Sequence, residues 1–486
     1  MKILMISPEV APFSKVGGLG DMAGSLSKEL SLMGHDVRVV TPLYGSVKPS
    51  AQRRVALEPL IVHLGGFEQY ARVWEERIPG APESKVYFLE HEKYFGRPEI
   101  YEGPWGGHGD NCERFTFMSR AAMDLCHALL WYPDVVHCHD WTSALAPAYL
   151  NTTERGNDLG QAASVMTIHN LKHQGIFSKE SFAMSGLPAD LFKADGFEAL
   201  GNFNMLKGGL YHASKITTVS PNYAREIKSS EYGCGLDGLL RFRAGDLVGV
   251  LNGIDTQVWN PQTDSLLPMR YSRFELDGKG YCKEILQTHF DLDRDHTVPI
   301  FAAIARLYDQ KGLDWLADIA EGLLKNMRLQ LVILGAGDSA LENRFRELAA
   351  YHPGKVGVHI GYDEALSHLI EAGADFFLMP SRFEPCGLNQ MYSMAYGTLP
   401  IVRATGGLVD TVEQYQENTG QGTGFLFQEP SAHALYYAIG WANSTYYDRP
   451  EDFASLRQNA MSRDFSWKRS AAQYEQVYQW ARSARR

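Results

Sequence analysis

The strongest constraint on the fold of this chain is an alternation of short apolar runs with helical patterns, which occurs twice along the sequence. The apolar runs of the first half lie at 2–7, 36–42, 134–140, 163–170 and 215–220. Those of the second half lie at 298–307, 329–337, 356–362, 375–381 and 399–407. Such runs are typical of strands buried on both faces, and their alternation with helices indicates a doubly wound parallel sheet. The predicted fold class is therefore α/β, with two such sheets.

The length of the chain and the composition of its middle predict where the two sheets separate. A chain of 486 residues is too long for one hydrophobic core. The stretch 250–264 is rich in Asn, Gly, Pro and Asp, which favours a connection between domains. We predict a first domain over 1–250 and a second over 251–465. Two such sheets facing each other form a cleft, where folds of this kind bind their ligands.

Charge and composition argue against several classes of protein. The chain has 46 Lys and Arg against 57 Asp and Glu, a formal net charge of −11, which disfavours a surface built for nucleic acid or an anionic membrane. No apolar run approaches the roughly 20 residues that span a bilayer, and the N-terminus lacks a cleavage-site pattern. The 6 cysteines show no CxxC pair. We therefore expect a reduced, cytoplasmic protein with free thiols.

The stretch SKVGGLGDMA, Ser14–Ala23, contains the pattern G-x-G-x-x-A of dinucleotide-binding folds. In those folds the first glycine closes the strand end, and an acid ends the second strand. Here Ser7–Val16 separates strand and glycines, and the nearest acid, Asp36, precedes the second strand. The phosphate-loop pattern also fails, because Lys15 precedes the glycines. What remains is an anion site of Lys15 and backbone N–H groups at a helix start, or glycines that only shape a turn.

A second group of polar residues lies in PSRFEPCGLNQMYSMAYGTLPIVRATGGLVDTV, at 380–412. It begins just after a predicted strand, at the carboxyl end of the sheet, where ligands bind. The groups that it places there are Arg382, Glu384, Cys386 and Gly387. A carboxylate and free N–H groups before a helix predicted over 388–396 can hold sugar hydroxyls. The turn Thr405–Gly407 is expected to present further N–H donors at another helix start.

Two cations follow the first strand of the second sheet. Arg306 and Lys311, in ARLYDQKG at 305–312, are five residues apart. Such a pair can clamp a diphosphate, and it can stabilise the charge that develops on a departing phosphate. On their own, the two side chains could equally be solvated surface charges.

Three histidines near strand ends of the first sheet raise the question of a metal. His137 and His139 lie in HCHDW, and His169 lies in TIHN. An HxH pair without further ligands has little specificity for a metal, so we predict none. A hydrogen-bonding role for Asp140 and His169 fits the sequence better.

Together these segments resemble the family of bacterial glycogen synthases and plant starch synthases, retaining glycosyltransferases that elongate an α-1,4-glucan from a nucleotide-activated glucose. The segments that carry the resemblance lie at 15–21, 134–141, 167–175, 204–227, 250–255, 305–312, 381–412 and 465–467. In this order they are highly specific and extend over nearly the whole chain. The family usually has Thr where this chain has Val16, which we expect to be tolerated. The short N-terminus makes the bacterial enzymes the closer likeness.

The resemblance implies roles for residues of the first domain. Those that it places around the donor sugar and its diphosphate are Glu9, Lys15, Gly18, Asp140, His169 and Asn252. Asp140 and His169 would contact the transferred glucose, with the backbone of His169 close to the anomeric carbon. Tyr94, in HEKYFGRPEIY, would be an aromatic residue on the acceptor side.

The resemblance also implies roles for the second domain. Its predicted donor-binding residues are Arg306, Lys311, Tyr362, Glu384, Cys386, Gly387, Thr405 and Gly407. Arg306 and Lys311 would neutralise the phosphates, and Tyr362 would stack near the adenine. Glu384 would hold glucose hydroxyls, whereas Thr405 and Gly407 would complete the phosphate site.

The family implies a GT-B architecture, in which two Rossmann-like domains face an interdomain cleft and a C-terminal helix over 466–486 packs back on the first domain. An apolar stripe at helical spacing in that segment agrees with such packing. The implied reaction is transfer of glucose from ADP-glucose to the non-reducing 4-hydroxyl of an α-1,4-glucan, glycogen or a maltooligosaccharide, with retention and release of ADP. No cofactor, metal, nucleic acid or membrane is expected to take part.

Several alternatives remain at this point. Within glycosyltransferases, the donor could be UDP-glucose, or the chain could be a sucrose or trehalose-phosphate enzyme, which should lack the KVGGLGD loop. From other classes, an NAD(P)-dependent oxidoreductase rests on the literal glycine pattern alone. A non-catalytic carbohydrate-binding protein would not need Arg306, Lys311 and Glu384 together.

Overall fold

The computed structural model describes residues 1–103 and 106–485, and the chain divides into two compact units. Unit 1 comprises Met1–Gly253 together with Trp467–Arg486, of which Arg486 lies outside the described residues. Unit 2 comprises Ile254–Ser466. The crossing from one unit to the other after Gly253 lies inside the stretch 250–264 that is rich in turn-forming residues.

Unit 1 is an α/β structure. Its strands are β1 (Lys2–Ile6), β2 (Asp36–Pro42), β3 (Arg54–Leu64), β4 (Phe67–Ile78), β5 (Ala81–Glu90), β6 (Glu102–Gly103), β7 (Gly106–Gly107), β8 (Val135–His139), β9 (Ala163–Ile168), β10 (Ile176–Phe177), β11 (Glu198–Ala199), β12 (Asn202–Asn204), β13 (Lys215–Thr218) and β14 (Leu247–Gly249). Its helices before the crossing are α1 (Gly18–Leu32), α2 (Glu92–Phe95), α3 (Asn111–Ala128), α4 (Ala146–Asn151), α5 (Met205–His212), α6 (Pro221–Glu226) and α7 (Asp237–Phe242).

The main sheet of unit 1 has nine strands in the order β14-β13-β9-β8-β1-β2-β5-β4-β3. The seven strands from β14 to β5 pair in parallel, whereas β4 and β3 extend the sheet in antiparallel fashion. The strand order reverses between β1 and β8. The carboxyl ends of these two strands therefore define a crevice, the expected ligand position in an open α/β sheet.

Unit 2 contains the second doubly wound sheet. Its strands are β15 (Ile300–Ile304), β16 (Gln330–Gly335), β17 (Val356–Ile360), β18 (Phe376–Met379), β19 (Leu399–Arg403) and β20 (Phe425–Phe427). Its helices are α8 (Asp277–His289), α9 (Leu313–Asn326), α10 (Ser339–Tyr351), α11 (Glu364–Gly373), α12 (Asn389–Ala395), α13 (Gly407–Thr411), α14 (Ala432–Asp448) and α15 (Pro450–Met461). The sheet is parallel, in the order β17-β16-β15-β18-β19-β20. This is the Rossmann order, whose reversal lies between β15 and β18.

The chain ends in α16 (Trp467–Arg485), which belongs to unit 1. Its buried face consists of Trp467, Ser470, Ala471, Tyr474, Val477, Tyr478 and Ala481. The Ser470 hydroxyl donates to the carbonyl of Leu251 at 2.6 Å, and the Arg485 guanidinium donates to the carbonyl of Leu150 at 2.9 Å. The apolar stripe of this helix thus packs on the body of unit 1.

The predicted fold class is confirmed in both units. Each predicted apolar run contains a parallel strand, and the run at 36–42 coincides with β2, whereas the parallel strands β5, β14 and β20 lie outside the predicted runs. The antiparallel pair β3 and β4 was not predicted. The strand β3 is at the edge of the sheet, so exposed and buried residues are mixed along it. Its hydrophobic pattern in the sequence is therefore weaker than that of a strand buried on both faces.

Candidate active site

The glycine loop of unit 1 is held by a single carboxylate. Glu9 follows β1 and is buried, and its Oε2 accepts hydrogen bonds from the amides of Val16 at 2.6 Å and Gly17 at 3.1 Å. The hydroxyl of Tyr101 donates to Glu9 Oε1 at 2.5 Å. Burial raises the pKa of Glu9, although these hydrogen bonds oppose the rise. Glu9 therefore has a positioning role toward the loop that its place in the sequence did not reveal.

The loop leaves donors open at the start of α1. Within the described residues, the amides of Gly18 and Leu19 have no hydrogen-bond acceptor. Lys15 is half-exposed and forms an ion pair with Asp21, with Nζ and Oδ2 at 2.7 Å. Open N–H groups at the start of a helix of 15 residues, next to a lysine, have the chemistry to bind an anion. Val16, the departure from the family pattern, has a side chain that is 54% exposed.

Asp140 follows β8, and so lies across the point of strand reversal from the loop after β1. It has a φ of 54°, which a non-glycine residue rarely adopts. Its Oδ1 accepts the amide N–H of His169 at 2.7 Å. Burial raises the pKa of Asp140 to about 7, and the charge of Glu9 contributes to the rise. A backbone outlier and a raised pKa at the same residue indicate a functional site.

The raised pKa of Asp140 predicts how stability depends on pH. The folded protein retains a proton that the unfolded chain loses near pH 3.8, so the carboxyl costs stability as pH rises from about 4 through about 7. Asp140→Asn removes this cost, and its amide oxygen can still accept the N–H of His169. We expect the difference in melting temperature between the variant and the wild type (variant minus wild type) to be larger at pH 8 than at pH 5. An equal difference at both pH values in thermal melts would contradict the prediction.

The three histidines lie in a row inside unit 1. His139 Nδ1 is 3.0 Å from His169 Nε2, and the rings of His137 and His139 are 4.2 Å apart. Burial lowers the pKa of both His137 and His169 to about 3, so that their rings are neutral at physiological pH. Across residues 1–103 and 106–485, no group of three His, Cys, Asp or Glu side chains is arranged to hold a metal ion.

Two further predicted residues of unit 1 lie apart from these contacts. Asn252, just after β14, is buried, and its Oδ1 has no hydrogen-bond partner among the described residues. An unpaired buried acceptor is costly unless a ligand or water satisfies it. Tyr94, in α2, is only 4% exposed and stacks on the ring of His91 at 4.3 Å. Its ring is therefore packed inside unit 1 in this structure.

In unit 2, a turn after β15 joins a cation to a carboxylate. The Nζ of Lys311 is 2.6 Å from Oε2 of Glu384, which is buried. Gly312 ends the turn at a φ of +64°, where a Cβ would collide with the carbonyl oxygen of Pro380. This close approach places the Lys311 turn against the loop that carries Glu384. The guanidinium of Arg306 is exposed and forms no ion pair or hydrogen bond within the described residues.

The loop that carries Glu384 is braced by residues that the sequence did not single out. The Ser381 hydroxyl donates to Glu384 Oε2 at 3.0 Å, and Arg403 Nε donates to the Ser381 carbonyl at 2.7 Å. The buried amide of Gln390 donates to the carbonyls of Cys386 and Gly387 at 3.1 and 3.0 Å. The only sequence signal for these braces is a set of polar residues in an otherwise apolar stretch.

Arg382 follows β18 at the carboxyl end of the sheet, as predicted, but its side chain binds within unit 2. Its guanidinium forms two hydrogen bonds with the carboxylate of Asp314, at 2.7 and 2.6 Å, and lies over the ring of Trp315. This bidentate pair secures α9 to the loop. Arg382 has a structural role here, because both of its terminal nitrogens bind groups inside unit 2.

The two predicted sets of N–H donors have different outcomes. Within the described residues, the amides of Gly387, Leu388 and Asn389 have no acceptor, so they remain open to a ligand. At the second turn, the amide of Thr405 donates to the Arg403 carbonyl at 2.9 Å, and that of Gly407 donates to the Glu384 carbonyl at 3.1 Å. The prediction that this turn presents those two amides to a ligand is therefore wrong, because they close the backbone of the loop.

The remaining residues of unit 2 divide between the interior and the surface. Cys386 and Thr405 are buried, and Gly387 has a φ of +73°. Tyr362 follows the edge strand β17, and its ring is 79% exposed, as stacking on a planar ligand requires. The structure thus brings Lys311, Glu384 and their loop together, whereas no hydrogen bond or ion pair joins Arg306 to them.

Each unit therefore carries one cluster at the carboxyl edge of its sheet, next to the strand reversal. The cluster of unit 1 combines open amides and Lys15 with the raised pKa of Asp140. That of unit 2 combines Lys311 and open amides with Glu384, and Arg306 follows the same strand as Lys311. Cations and amides bind phosphate, and carboxylates bind sugar hydroxyls, so each set by itself has the chemistry to bind a phosphorylated sugar.

Comparisons with known families cover most of the chain. The family described as starch synthase catalytic domain matches residues 2–242, and the one described as glycosyl transferases group 1 matches residues 285–460. The chain is 49% identical to glycogen synthase 1 of Geobacter sulfurreducens over 484 residues, which are 98% of this chain and 96% of that protein. It is 45% identical to glycogen synthase of Treponema denticola over 483 residues, 98% of each chain.

Solved structures agree with this similarity. The catalytic domain of starch synthase IV from Arabidopsis thaliana, bound to ADP and acarbose, has a TM-score of 0.91 and 33% identity, with 99% of each chain covered. Sucrose-phosphate synthase from Thermosynechococcus elongatus has a TM-score of 0.59 and 18% identity, with 98% of each chain covered. At that identity the second likeness concerns the fold alone.

Proposed function

The chain belongs to the family of glycogen synthases and starch synthases, and from this membership we propose that it transfers glucose from ADP-glucose to the non-reducing 4-hydroxyl of an α-1,4-glucan, releasing ADP with retention of configuration. The observation that carries the proposal is the pairing of Lys311 with Glu384 at the strand reversal of unit 2, where Arg306 also follows β15. ADP as the nucleotide is supported by the Arabidopsis structure, which holds ADP.

The proposed reaction is a front-face displacement. The bond between C1 of glucose and the phosphate oxygen breaks, the bond from C1 to the acceptor oxygen forms, and the acceptor proton moves to the leaving phosphate. Arg306 and Lys311 stabilise the charge on that phosphate. A double displacement would need a free carboxylate nucleophile about 5 Å from its partner. Glu384 suits that role poorly, because Lys311 and Ser381 already engage its Oε2.

We propose that the unit 1 cluster binds the transferred sugar and its diphosphate. The open amides at Gly18 and Leu19 and the Lys15 ammonium suit a phosphate oxygen. The unpaired Oδ1 of Asn252 suits a sugar hydroxyl. The Asp140 carboxylate accepts the backbone N–H of His169. The backbone carbonyl of His169 would stabilise positive charge at the anomeric carbon.

The proposal is tested by transfer of radiolabelled glucose to glycogen, with ADP-glucose and UDP-glucose side by side. We expect incorporation from ADP-glucose and much less from UDP-glucose. The reverse preference would contradict the proposed donor, and the absence of transfer from either would favour a carbohydrate-binding protein.

Fluorescence titration with NADH tests the oxidoreductase alternative, for which we expect no binding. Among the helices of residues 1–103 and 106–485, none has the length and apolar character of a membrane-spanning segment.

Lys15→Ala is expected to impair use of the donor while the fold is retained. The lysine side chain is half-exposed and its ion pair with Asp21 is near the surface, so its loss costs about 0–1 kcal/mol of stability. We expect a KM for ADP-glucose raised about tenfold or more, with a melting temperature close to that of the wild type. Lys48→Ala, an exposed lysine of the same unit, is the control. Unchanged donor kinetics would contradict the assignment of Lys15.

A further inference from the structure

His139 has no role in the reaction as described so far, yet it touches the ring of His169. Its Nδ1 is 3.0 Å from His169 Nε2, and both side chains belong to unit 1. His139 is fully buried, whereas His169 is partly exposed. His169 is thus fixed twice: Asp140 accepts its backbone N–H, and His139 binds one nitrogen of its ring.

The hydrogen-bond partners of His139 indicate which nitrogen carries its proton. Burial lowers the pKa of His139 well below its ordinary value, so that the ring is neutral and has one N–H. Its Nε2 is buried and has no partner among the described residues. A proton on Nε2 would leave a buried donor unsatisfied, and orphaned N–H groups are rarer than unsatisfied acceptors. The favoured state therefore has the proton on Nδ1, which donates to His169 Nε2.

Neighbouring rings keep His139 in this orientation. The ring of His137 packs against it with centroids 4.2 Å apart. His137 is itself bound at both nitrogens, with Nδ1 2.9 Å from the hydroxyl of Tyr478 on α16 and Nε2 2.6 Å from the hydroxyl of Thr167. Because His137 is anchored on both sides, the His139 ring cannot turn without disrupting that packing.

We propose that His139 is a positioning residue that fixes the tautomer and ring orientation of His169. With Nε2 of His169 accepting from His139, the proton of the neutral His169 ring is on Nδ1. That nitrogen makes no hydrogen bond within the described residues, so its N–H is available to donate to an oxygen of the bound sugar. The proposal deepens the proposed function and rests on it for the identity of the sugar.

The tautomer is measured without substrate, by long-range ¹H–¹⁵N correlation spectra of the full chain labelled with ¹⁵N-histidine. The His169 signals are identified by their loss in His169→Ala. We expect wild-type His169 to be protonated on Nδ1, and His139→Leu to move it toward the Nε2–H form or a mixture. A wild-type His169 protonated on Nε2, or a pattern that His139→Leu leaves unchanged, would overturn the proposal.

Kinetics provide the second readout. His139→Leu is expected to lower kcat about 10- to 100-fold, because a misplaced group at the reacting centre costs up to about 100-fold, with a smaller change in KM for ADP-glucose. His139→Asn, whose amide nitrogen can replace Nδ1 as a donor, is expected to recover most of kcat. His433→Leu, an exposed histidine of unit 2, is the control. Wild-type kcat in His139→Leu, or no recovery in a His139→Asn that melts like the wild type, would overturn the proposal.

The two readouts separate this inference from the proposed function. If ADP-glucose is not the donor, the wild type itself fails to transfer glucose from ADP-glucose, whereas the tautomer of His169 is still measured. If His139→Leu does not fold, the wild-type spectrum and the His139→Asn variant still decide the matter.

Discussion

Arg306→Ala and Lys311→Ala are each expected to lower kcat by about 100- to 1000-fold, the cost of removing one preorganised donor from a developing charge. Both side chains follow the first strand of unit 2, beside the strand reversal. The charge that they stabilise is larger in the transition state than in the bound donor, so kcat should fall more than KM rises. Steady-state transfer kinetics with ADP-glucose and glycogen measure both constants.

The two variants should differ in stability. Arg306 is exposed and unpaired within the described residues, so its removal should leave the melting temperature unchanged. Lys311 neutralises the buried carboxylate of Glu384, and its removal leaves that carboxylate with the Ser381 hydroxyl. We therefore expect a lower melting temperature for Lys311→Ala alone. Lys325→Ala, an exposed lysine of α9, is the control, and a near-normal kcat in either variant would refute the assignment.

The fold and the general place of the site could be predicted from the sequence, because both depend on local patterns. A parallel strand buried on both faces has to be apolar over its length, so β15 and β18 are recognisable in isolation. A polar residue just after such a strand has to lie at the carboxyl edge of the sheet. That rule alone located Arg306, Glu384 and Asp140.

The internal connections of the site could not be predicted, because each joins residues far apart in the sequence. Tyr101 reaches Glu9 from 92 residues away, and His139 reaches His169 from 30 residues away. The pairing of Arg382 with Asp314 was not predicted for the same reason, since the two residues are 68 positions apart. The tautomer of His169 depends on which nitrogen of His139 has no partner, and this depends on contacts between residues far apart in the sequence.

The loop geometry around Glu384 leads to the other large effect, that of Gly406→Ala. Gly406 has a φ of +47° and a ψ of −134°, a combination that is strained for residues with a Cβ. A Cβ at this position would collide with the carbonyl oxygen of Glu384, to which the next amide, that of Gly407, also donates at 3.1 Å. The collision is with backbone, so it cannot be relieved by a side-chain rotation. The loop that carries Glu384 has to move.

Gly406→Ala should therefore inactivate the enzyme, although the glycine that it replaces has no side chain with which to bind the substrate. A displacement of about 1 Å at a reacting centre costs about 100-fold in rate, and we expect at least that loss in kcat/KM for the donor. The backbone strain should also cost about 1–3 kcal/mol of stability. Gly280→Ala, in α8 with no heavy atom within 4 Å of the added methyl group, is the matched control and should be as active and at least as stable as the wild type. Wild-type donor kinetics in Gly406→Ala would mean that the Glu384 loop is not held by this contact.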